Sequence, residues 1–375
     1  MKIKILHFIH RLEYSDGIKN YVQTLCSRYD KNLYEITILT FNEQNNREII
    51  DEFKRNGIYV YNLKTIFYNK FQNRYLKLFL RNLGLDYIYK FVQLKETVFE
   101  LKPKIMIVHG EDCELIGGFL RTSFVKINVL HGFIFFPKNF VFRYILTKYS
   151  RKRFNYTILV NNSLQGLVAY KSQTYIIPAG IELEKFRLKT TDRVKSDPYI
   201  ILGYIGRLSR EKNIDRIIKA FSLLVSDYEN IILLIAGKGN YYHSLKKMVR
   251  PELRDRIKFL GEVKDSSSFY NRIDIFINVS DFEGGPITLM EALASGKVVI
   301  STNVGLVPEL IDLGIKIVRL NNSTVIQIKD TLETTINDLD FYIEDAKKNV
   351  PLLSEFSSNN FRKHFYKTID KIIAN

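Results

Sequence analysis

The sequence contains few of the residues that hold small scaffolds together, since only two cysteines occur among its 375 residues. Cys26 and Cys113 are far apart, and neither stands in the paired cysteine and histidine spacing typical of zinc sites. The composition therefore argues against a disulfide framework and a zinc fold. Disorder is excluded for most of the chain, because 46% of the residues are hydrophobic and 26% are charged.

Long hydrophobic runs are also absent. The most apolar stretches, 129–136 and 231–236, fall far short of the roughly 20 residues that span a bilayer as a helix. The chain starts with a strand-like run at Ile3 and shows neither the apolar core nor the small-residue cleavage site of a signal peptide. We therefore expect no transmembrane helix and a cytoplasmic protein, with contact at the inner face of the cell membrane left open.

Acidic residues are scarce relative to basic ones, and the formal net charge is +16. Basic residues outnumber acidic ones by twelve over residues 1–185 and by four over the remainder. No acidic residue lies between Leu115 and Ile181, where cations are interleaved with phenylalanine and tyrosine. This pattern is typical of a contact with an anionic membrane, and also of a solvated face over an apolar core. Single-stranded nucleic acid uses similar chemistry, but no nucleic-acid motif accompanies the charge, so nucleic acid is not an expected partner.

Strand-like runs rich in β-branched residues alternate with helix-length segments along the chain. They cover 3–9, 35–41, 58–63, 105–109, 126–130, 156–161 and 174–177, and then 200–205, 231–236, 257–260, 275–278, 298–301 and 315–319. The alternation predicts an α/β protein with two doubly wound parallel sheets, separated by a polar connector near 180–198. Ligands of such sheets bind outside the carboxyl ends of the strands.

The most informative stretch is DFEGGPITLMEALASG at 281–296, which follows an apolar strand. Pro286 suits the first position of a helix that Gly296 would end. Two adjacent glycines before a helix N-terminus allow an anion to approach exposed N–H groups. The stretch therefore predicts a phosphate or sugar-hydroxyl site.

Two carboxylates belong to the same stretch. Glu283 falls in the loop and Glu291 on the helix, a spacing that can bring both towards one ligand. Ionised carboxylates accept hydrogen bonds from the hydroxyl groups of sugars and ribose. With the glycine-rich turn and the EALASG ending, this pair resembles the E-x7-E signature of retaining GT-B glycosyltransferases of family 4.

The resemblance extends beyond this signature. GYIGRLSREKN at 203–213 is similar to the family's strand and loop with an arginine and a lysine that hold the donor diphosphate. The segments IIPAGIE at 176–182, IAGKG at 235–239 and FLGEV at 259–263 resemble its interdomain turn, its glycine loop and the strand end beside the base. Together the matches cover residues 176–311 in the family's order.

The resemblance implies a fold and an activity. The fold is GT-B, with two Rossmann-like domains facing a central cleft and a C-terminal helix that crosses back to the first domain. We expect an acceptor-binding domain over 1–180, a nucleotide-sugar-binding domain over 181–355 and the terminal helix over 356–375. The implied activity is retaining transfer of a hexosyl or N-acetylhexosaminyl group by same-face attack.

The resemblance also implies roles for individual residues. Arg207 and Lys212 would neutralise the leaving diphosphate, Glu283 would hold sugar hydroxyls, and Glu291 would hold the ribose. The expected catalytic residues are His131, Arg207, Lys212 and Glu283. The expected donor-binding residues are Gly17, Gly206, Arg207, Lys212, Gly237, Gly239, Val263, Glu283, Gly284, Gly285, Pro286, Ile287, Thr288 and Glu291.

Two features of the first lobe belong to the expected site. Asp16-Gly17 stands where the family commonly has two glycines, and aspartate tolerates unusual backbone angles better than most residues. His131 matches the family's active-site histidine after an apolar strand and would contact the transferred sugar. His109, which also follows an apolar strand, is a rival for that place.

Neither a metal nor a cofactor is expected. The sequence has no phosphate loop and no complete G-x-G-x-x-G fingerprint, which argues against an ATPase and a dehydrogenase. Its D-x-D pattern at 338–340 lies late in a helical stretch without a glycine loop. Arginine, lysine and helix N-termini would supply the positive charge that a metal supplies elsewhere.

The expected substrates are a nucleotide-diphosphate sugar, with UDP favoured over GDP, and a glycan acceptor. The basic first lobe favours an acceptor linked to a polyprenyl diphosphate, as in bacterial capsule, exopolysaccharide or lipopolysaccharide O-antigen synthesis. A soluble acceptor remains an alternative. A non-catalytic nucleotide- or glycan-binding protein with the same fold is the alternative from another functional class.

Overall fold

The computed structural model describes residues 2–14, 16–43, 45–64, 85–132, 141–168, 172–187 and 198–374. The chain divides into two compact units. Unit 1 comprises Met1–Ile177 and His364–Asn375, and unit 2 comprises Pro178–Lys363.

Unit 1 contains a seven-stranded parallel sheet in the order β3-β2-β1-β4-β5-β6-β7. Its strands are β1 Ile3–Ile9, β2 Tyr34–Thr40, β3 Tyr59–Asn62, β4 Ile105–His109, β5 Val125–Leu130, β6 Tyr156–Leu159 and β7 Gln173–Ile176. Its described α-helices before unit 2 are α1 Gly17–Cys26, α2 Arg47–Arg55, α3 Leu85–Leu101, α4 Glu111–Phe119 and α5 Val141–Arg151. The strand order reverses between β1 and β4, as in a doubly wound sheet.

Unit 2 contains a six-stranded parallel sheet in the order β10-β9-β8-β11-β12-β13. Its strands are β8 Ile200–Ile205, β9 Ile231–Ala236, β10 Ile257–Gly261, β11 Ile275–Asn278, β12 Val298–Thr302 and β13 Val318–Leu320. Its α-helices are α6 Leu183–Phe186, α7 Ile214–Leu224, α8 Tyr242–Met248, α9 Ser266–Tyr270, α10 Ile287–Ala294, α11 Val307–Asp312, α12 Val325–Asn337, α13 Leu339–Lys347 and α14 Asn349–Leu352.

Both faces of the unit 2 sheet are buried, which explains why its strands are nearly continuous apolar runs. Ile275 and Ile277 of β11 pack into one core, and Phe276 between them packs into the core on the opposite face. A parallel sheet covered by helices on both sides requires this pattern. The expectation of two Rossmann-like α/β sheets is confirmed.

One strand begins later than the sequence pattern indicates. The pattern predicts a strand over 315–319, whereas β13 spans Val318–Leu320. The side chain of Asn349 is hydrogen-bonded to the backbone of Lys316, which lies just before this strand. Its Oδ1 accepts from Lys316 N–H at 2.7 Å and its Nδ2 donates to the Lys316 carbonyl at 2.9 Å. The side chain of Asn349 therefore takes the hydrogen bonds that a neighbouring strand would have made.

The C-terminal helix α15 spans Ser358–Ala374, and its residues from His364 onward belong to unit 1. There the ring of Phe365 stacks on His7 with 6.3 Å between ring centroids. Tyr34 donates a hydrogen bond to Asp370. These contacts fix the end of α15 on the sheet of unit 1. Over the described part of the chain, no helix combines the length and the apolar character needed to cross a membrane.

Candidate functional site

Three loops of unit 2 meet backbone to backbone where β8, β9 and β10 end. Gly206 N–H donates to the Ala236 carbonyl at 3.1 Å, and Gly237 N–H donates to the Gly261 carbonyl at 2.6 Å. The three strands are parallel neighbours, so their carboxyl ends share one edge of the sheet. The candidate site is built on this edge.

Two glycines permit this close approach. A Cβ on Gly237, whose φ is +133°, would lie 1.8 Å from the Gly206 carbonyl oxygen. A Cβ on Gly239 would lie 2.0 Å from the Leu208 carbonyl oxygen. Neither position has room for a side chain, so glycine is needed at both. With Gly206, three of the expected donor-binding glycines lie together at this edge of the sheet.

The two expected cations follow β8 and differ in their exposure. The Arg207 side chain is 54% exposed, and its Nη2 lies 3.4 Å from Glu211 Oε1. The Lys212 side chain is only 15% exposed, and its Nζ lies 2.6 Å from Glu283 Oε1. The structure thus brings together Lys212 and Glu283, which are far apart in sequence, and leaves Arg207 open to solvent.

Asn213 explains why Lys212 turns towards the loop after β11. Asn213 has a left-handed backbone with φ +53°, a conformation that asparagine tolerates better than most residues. Its Nδ2 donates to the Val279 carbonyl at 3.0 Å and to Asp281 Oδ1 at 2.7 Å. These bonds join the loop after β8 to the loop after β11.

Glu283 lies within a set of hydrogen-bond donors. Besides Lys212, the Ser280 hydroxyl donates to Glu283 Oε1 at 2.7 Å. The neighbouring Tyr204 is 3% exposed, and its burial, followed by the charge of Glu283, raises the pKa of Tyr204 well above its ordinary value. Tyr204 therefore stays protonated beside the carboxylate.

The glycine-rich loop leads into the N-terminus of α10. Pro286 occupies the N-cap position, one residue before the first helical residue, and no acidic side chain lies in the first turn. Gly296 has φ +62° just beyond the helix end, and its N–H donates to the Leu293 carbonyl at 3.0 Å. The first-turn N–H groups after Gly284 and Gly285 are therefore not neutralised by an acid on the same turn.

Glu291 lies one to two turns into α10 and is 9% exposed. The hydroxyl oxygen of Tyr270 in α9 lies 2.7 Å from the Thr288 carbonyl oxygen and 3.1 Å from Glu291 Oε2, so its one proton is shared between two acceptors. Burial and the charge of Glu291 raise the pKa of Tyr270. The two carboxylates of the E-x7-E pattern therefore have separate donors, Lys212 and Ser280 for one and Tyr270 for the other.

The loop after β10 carries Val263, which is partly buried and packs at the margin of an apolar core. Next to it, Glu262 Oε2 accepts from Lys238 Nζ at 2.5 Å. Lys238 belongs to the glycine loop after β9, so this ion pair links two loops of the candidate site.

In unit 1, Gly17 is the first residue of α1 and Asp16 is its N-cap. Asp16 has an ordinary extended conformation with φ −99°, and its Oδ1 accepts from Ile18 N–H at 2.9 Å. Aspartate at this position therefore serves as a helix cap and does not need an unusual backbone angle.

His131 follows β5 in unit 1, and its Nε2 lies 3.0 Å from His109 Nδ1. Burial lowers the pKa of His131 to about 3, so the ring is neutral near pH 7. The two histidines that the sequence offers as rivals are hydrogen-bonded neighbours.

The basic and aromatic stretch is partly buried and partly exposed. Lys126 and Arg151 are buried: Lys126 Nζ donates to carbonyls at the end of α4, and Arg151 Nε lies 2.8 Å from Glu114 Oε2. On α5, by contrast, Tyr144, Ile145 and Tyr149 are exposed by 47%, 55% and 52%. Only part of the stretch is therefore available to a partner.

Sequence reasoning did not identify Tyr270, Ser280 or Asn213. Ser280 and Asn213 each lie within a few residues of a predicted site residue, and that proximity is the signal that could have found them. Tyr270 contacts Glu291 across 21 residues and has no motif of its own. Among the residues that the structure describes, no group of three histidine, cysteine, aspartate or glutamate side chains could hold a metal ion.

Comparison with known proteins gives a family match within unit 2. Residues 187–349 match the family model described as Glycosyl transferases group 1. Alpha-monoglucosyldiacylglycerol synthase of Streptococcus pneumoniae is 31% identical over 145 residues, which are 35% of this chain and 33% of that protein. Capsular polysaccharide biosynthesis glycosyltransferase CapM of Staphylococcus aureus is 31% identical over 133 residues, which are 33% of this chain and 35% of that protein. The chain thus spans about a third of the length of these relatives.

A solved structure matches over nearly the whole chain. The crystal structure of Anabaena Alr3699/HepE in complex with UDP and glucose has a TM-score of 0.77 and 17% sequence identity, and the match covers 98% of this chain and 99% of that one. A likeness at this identity concerns the fold. The expected GT-B fold class is confirmed.

Proposed function

We propose that this chain is a retaining glycosyltransferase of family 4 that transfers a hexosyl or N-acetylhexosaminyl group from a nucleotide-diphosphate sugar. The observation that carries the proposal is the pairing of Lys212 with Glu283 at the edge where α10 begins. A cation, a carboxylate and a helix N-terminus are the groups that a sugar diphosphate needs, and here they lie in the part of the chain that matches glycosyl transferases group 1.

The donor diphosphate is proposed to bind Lys212, Arg207 and the N-terminus of α10. Negative charge builds on the diphosphate as its bond to the sugar breaks, so cations fixed beside it stabilise the transition state more than the ground state. In the described structure Lys212 is paired with the Glu283 carboxylate, and an incoming phosphate would replace that carboxylate as its partner. No metal and no cofactor take part in this proposal.

The two carboxylates are proposed to hold hydroxyl groups. Glu283 would accept from hydroxyls of the transferred sugar once Lys212 turns to the diphosphate. Glu291 would accept from the ribose while Tyr270 keeps its position. Val263, beside the end of β10, would lie against the base, and UDP is favoured because the structure of Alr3699/HepE, similar in fold, holds UDP and glucose.

The acceptor is proposed to be a glycan on a polyprenyl diphosphate, in capsule, exopolysaccharide or O-antigen synthesis. The exposed face of α5 presents Tyr144, Ile145 and Tyr149 within a stretch that has no acidic residue. Aromatic and aliphatic side chains beside cations suit the interface of an anionic membrane. The relative CapM is named for capsular polysaccharide biosynthesis, which supports the capsule part of this proposal.

Incubation of the full chain with UDP- and GDP-sugars and an extracted lipid-linked acceptor tests the proposal. We expect transfer from one UDP-sugar, an unchanged rate after addition of EDTA, and a product with the anomeric configuration of the donor. Nucleotide-sugar binding without transfer or hydrolysis would favour the non-catalytic alternative, and an inverted product would contradict the retaining assignment.

A further inference from the structure

Three histidines of unit 1 lie on neighbouring strands with a regular offset. In the sheet, His7 of β1 is paired with Ile107 of β4, and His109 lies two residues further along β4. His109 is in turn paired with Val129 of β5, and His131 lies two residues beyond Val129. Because side chains alternate with a period of two, these offsets place the three imidazoles on the same face of the sheet.

The three rings form a hydrogen-bonded chain. His7 Nδ1 lies 3.0 Å from His109 Nε2, and His109 Nδ1 lies 3.0 Å from His131 Nε2. The rings of Tyr21 and His131 are nearly perpendicular, with 4.8 Å between their centroids. Since His109 uses opposite nitrogens for its two neighbours, the rings follow one another in a line and do not converge on one point.

All three rings are neutral near pH 7. His7 and His109 are completely buried, and burial lowers the pKa of His7 to about 3 and that of His109 well below its ordinary value. The pKa of His131 is lowered to about 3 for the same reason. The three hydrogen-bonded rings therefore carry three N–H protons, one on each ring.

Only two proton arrangements satisfy both hydrogen bonds. In the first, each ring carries its proton on Nδ1, His7 donates to His109, and His109 donates to His131. In the second, each ring carries its proton on Nε2 and the donation runs the opposite way. The third proton is consequently on His131 Nδ1 in the first arrangement and on His7 Nε2 in the second.

The surroundings of His7 distinguish the two arrangements. His7 Nε2 is buried and has no hydrogen-bond partner among the residues that the structure describes. A buried N–H without an acceptor is rarer in proteins than an acceptor without a donor. The first arrangement leaves a bare nitrogen at this position, whereas the second would leave an orphaned N–H there.

We propose that His7 and His109 are positioning residues that hold His131 as the Nδ1–H tautomer, so that His131 presents a hydrogen-bond donor to a hydroxyl of the transferred sugar. The sugar part of this inference rests on the proposed function. The tautomer part rests on the three rings alone, and the two parts can be tested separately.

The tautomers can be measured directly on the full-length protein. Protein labelled with ¹⁵N at its six histidines gives long-range proton–nitrogen correlations that distinguish Nδ1–H from Nε2–H rings. Loss of one signal set in single substitutions assigns each ring. We expect Nδ1–H for His7, His109 and His131 at pH 7.5; Nε2–H at His131 would overturn the proposal.

A pair of variants tests the positioning role. His109→Leu removes the donor to His131 Nε2, and we expect a mixture of tautomers at His131 and a kcat about tenfold lower, with the KM for the donor sugar changed by less than about twofold. In His109→Asn the amide nitrogen lies near the former Nδ1, so we expect it to restore the His131 signal and most of kcat. The exposed His243→Gln serves as the control.

The outcomes separate the two proposals. An unchanged His131 spectrum in His109→Leu would overturn the proposed control of the His131 tautomer, even if that variant were less active. Instability alone would then explain the loss of activity. Equal kcat in wild type and folded His109→Leu would overturn the positioning role. A wild-type protein with the expected tautomers and no transfer from any donor would count against the proposed function. It would still support the claim that His7 and His109 set the tautomer of His131.

Discussion

Lys212 Nζ and Glu283 Oε1 are 2.6 Å apart and join the loop after β8 to the loop after β11. Both side chains are about 15% exposed, so solvent screens their attraction less than on an open surface. Each group is at the same time the one proposed to bind part of the donor. Under the proposed function, donor binding would exchange one ion pair for two ligand contacts, which limits the cost of desolvating either group.

This exchange predicts the effect of replacing Lys212. Lys212→Ala would remove the proposed charge-assisted hydrogen bond to the diphosphate, worth about 1.5–3 kcal/mol, so UDP should bind roughly 10–150-fold more weakly in calorimetry. Lys219, an exposed lysine on α7, provides the matched control Lys219→Ala. Equal loss of affinity in both variants would mean that general charge attracts the nucleotide.

The proposed contact of Glu291 with ribose predicts a specific change in nucleotide preference. Wild type should bind UDP more tightly than its 2′,3′-dideoxy analogue, because only UDP offers hydroxyls to the carboxylate. In Glu291→Gln this preference should shrink by about tenfold, since an amide accepts more weakly than a carboxylate. The exposed Glu344→Gln on α13 is the control. A preference that survives in Glu291→Gln would show that another residue holds the ribose.

The packing of the glycine loop predicts a large loss of stability without any ligand. Gly237→Ala places a Cβ 1.8 Å from the Gly206 carbonyl oxygen, so one loop must move, at a cost of about 1–3 kcal/mol. Thermal unfolding should show a lower Tm than in wild type. Gly166→Ala, where no atom lies within 4 Å of the new Cβ, should change Tm little. Similar melting of both variants would contradict the close approach.

The buried histidines predict a pH dependence of stability. The pKa of His7 is about 3 in the folded state and about 6.5 when unfolded, so between these values the unfolded state binds more protons. The contribution of His7 to the free energy of unfolding is fully present above about pH 6.5. It falls by about 1.4 kcal/mol per pH unit as the pH drops towards 3. Urea unfolding of His7→Phe from pH 7.5 to 5 should show a shallower pH dependence than wild type and His243→Gln. An unchanged dependence would mean that His7 titrates normally.

The exposed face of α5 predicts binding to anionic vesicles. Ile145→Ser should reduce sedimentation with vesicles that contain phosphatidylglycerol and leave Tm unchanged, because this side chain is 55% exposed. Phe341→Ser removes a similarly exposed apolar side chain from unit 2 and should have no effect. Binding should weaken as salt rises. Equal binding of wild type to neutral vesicles would remove the electrostatic part of the proposal.

Much of the fold follows from the amino-acid pattern because parallel strands buried on both faces are apolar throughout. The pattern predicts β1 at Ile3–Ile9 and β8 at Ile200–Ile205, and the structure has the same bounds. The start of β13 could not be predicted, since it depends on a side chain 33 residues away, Asn349, that binds the backbone of Lys316.

The candidate site was predictable where a motif brings its own geometry. The glycine-rich turn and α10 are such a case, because the glycines, the proline and the helix are adjacent in sequence. Contacts between distant segments were not predictable: Tyr270 binds Glu291 through the packing of two helices. The relation between His109 and His131 required the register of β4 and β5, which no local pattern indicates.

The division of the chain affects the order in which it can fold during synthesis. Unit 2 is one continuous segment, whereas unit 1 needs residues from both sides of it. Phe365, fully buried against His7, is translated after all of unit 2. The surface of unit 1 that α15 covers is therefore completed last, because its covering residues follow every residue of unit 2 in the order of synthesis.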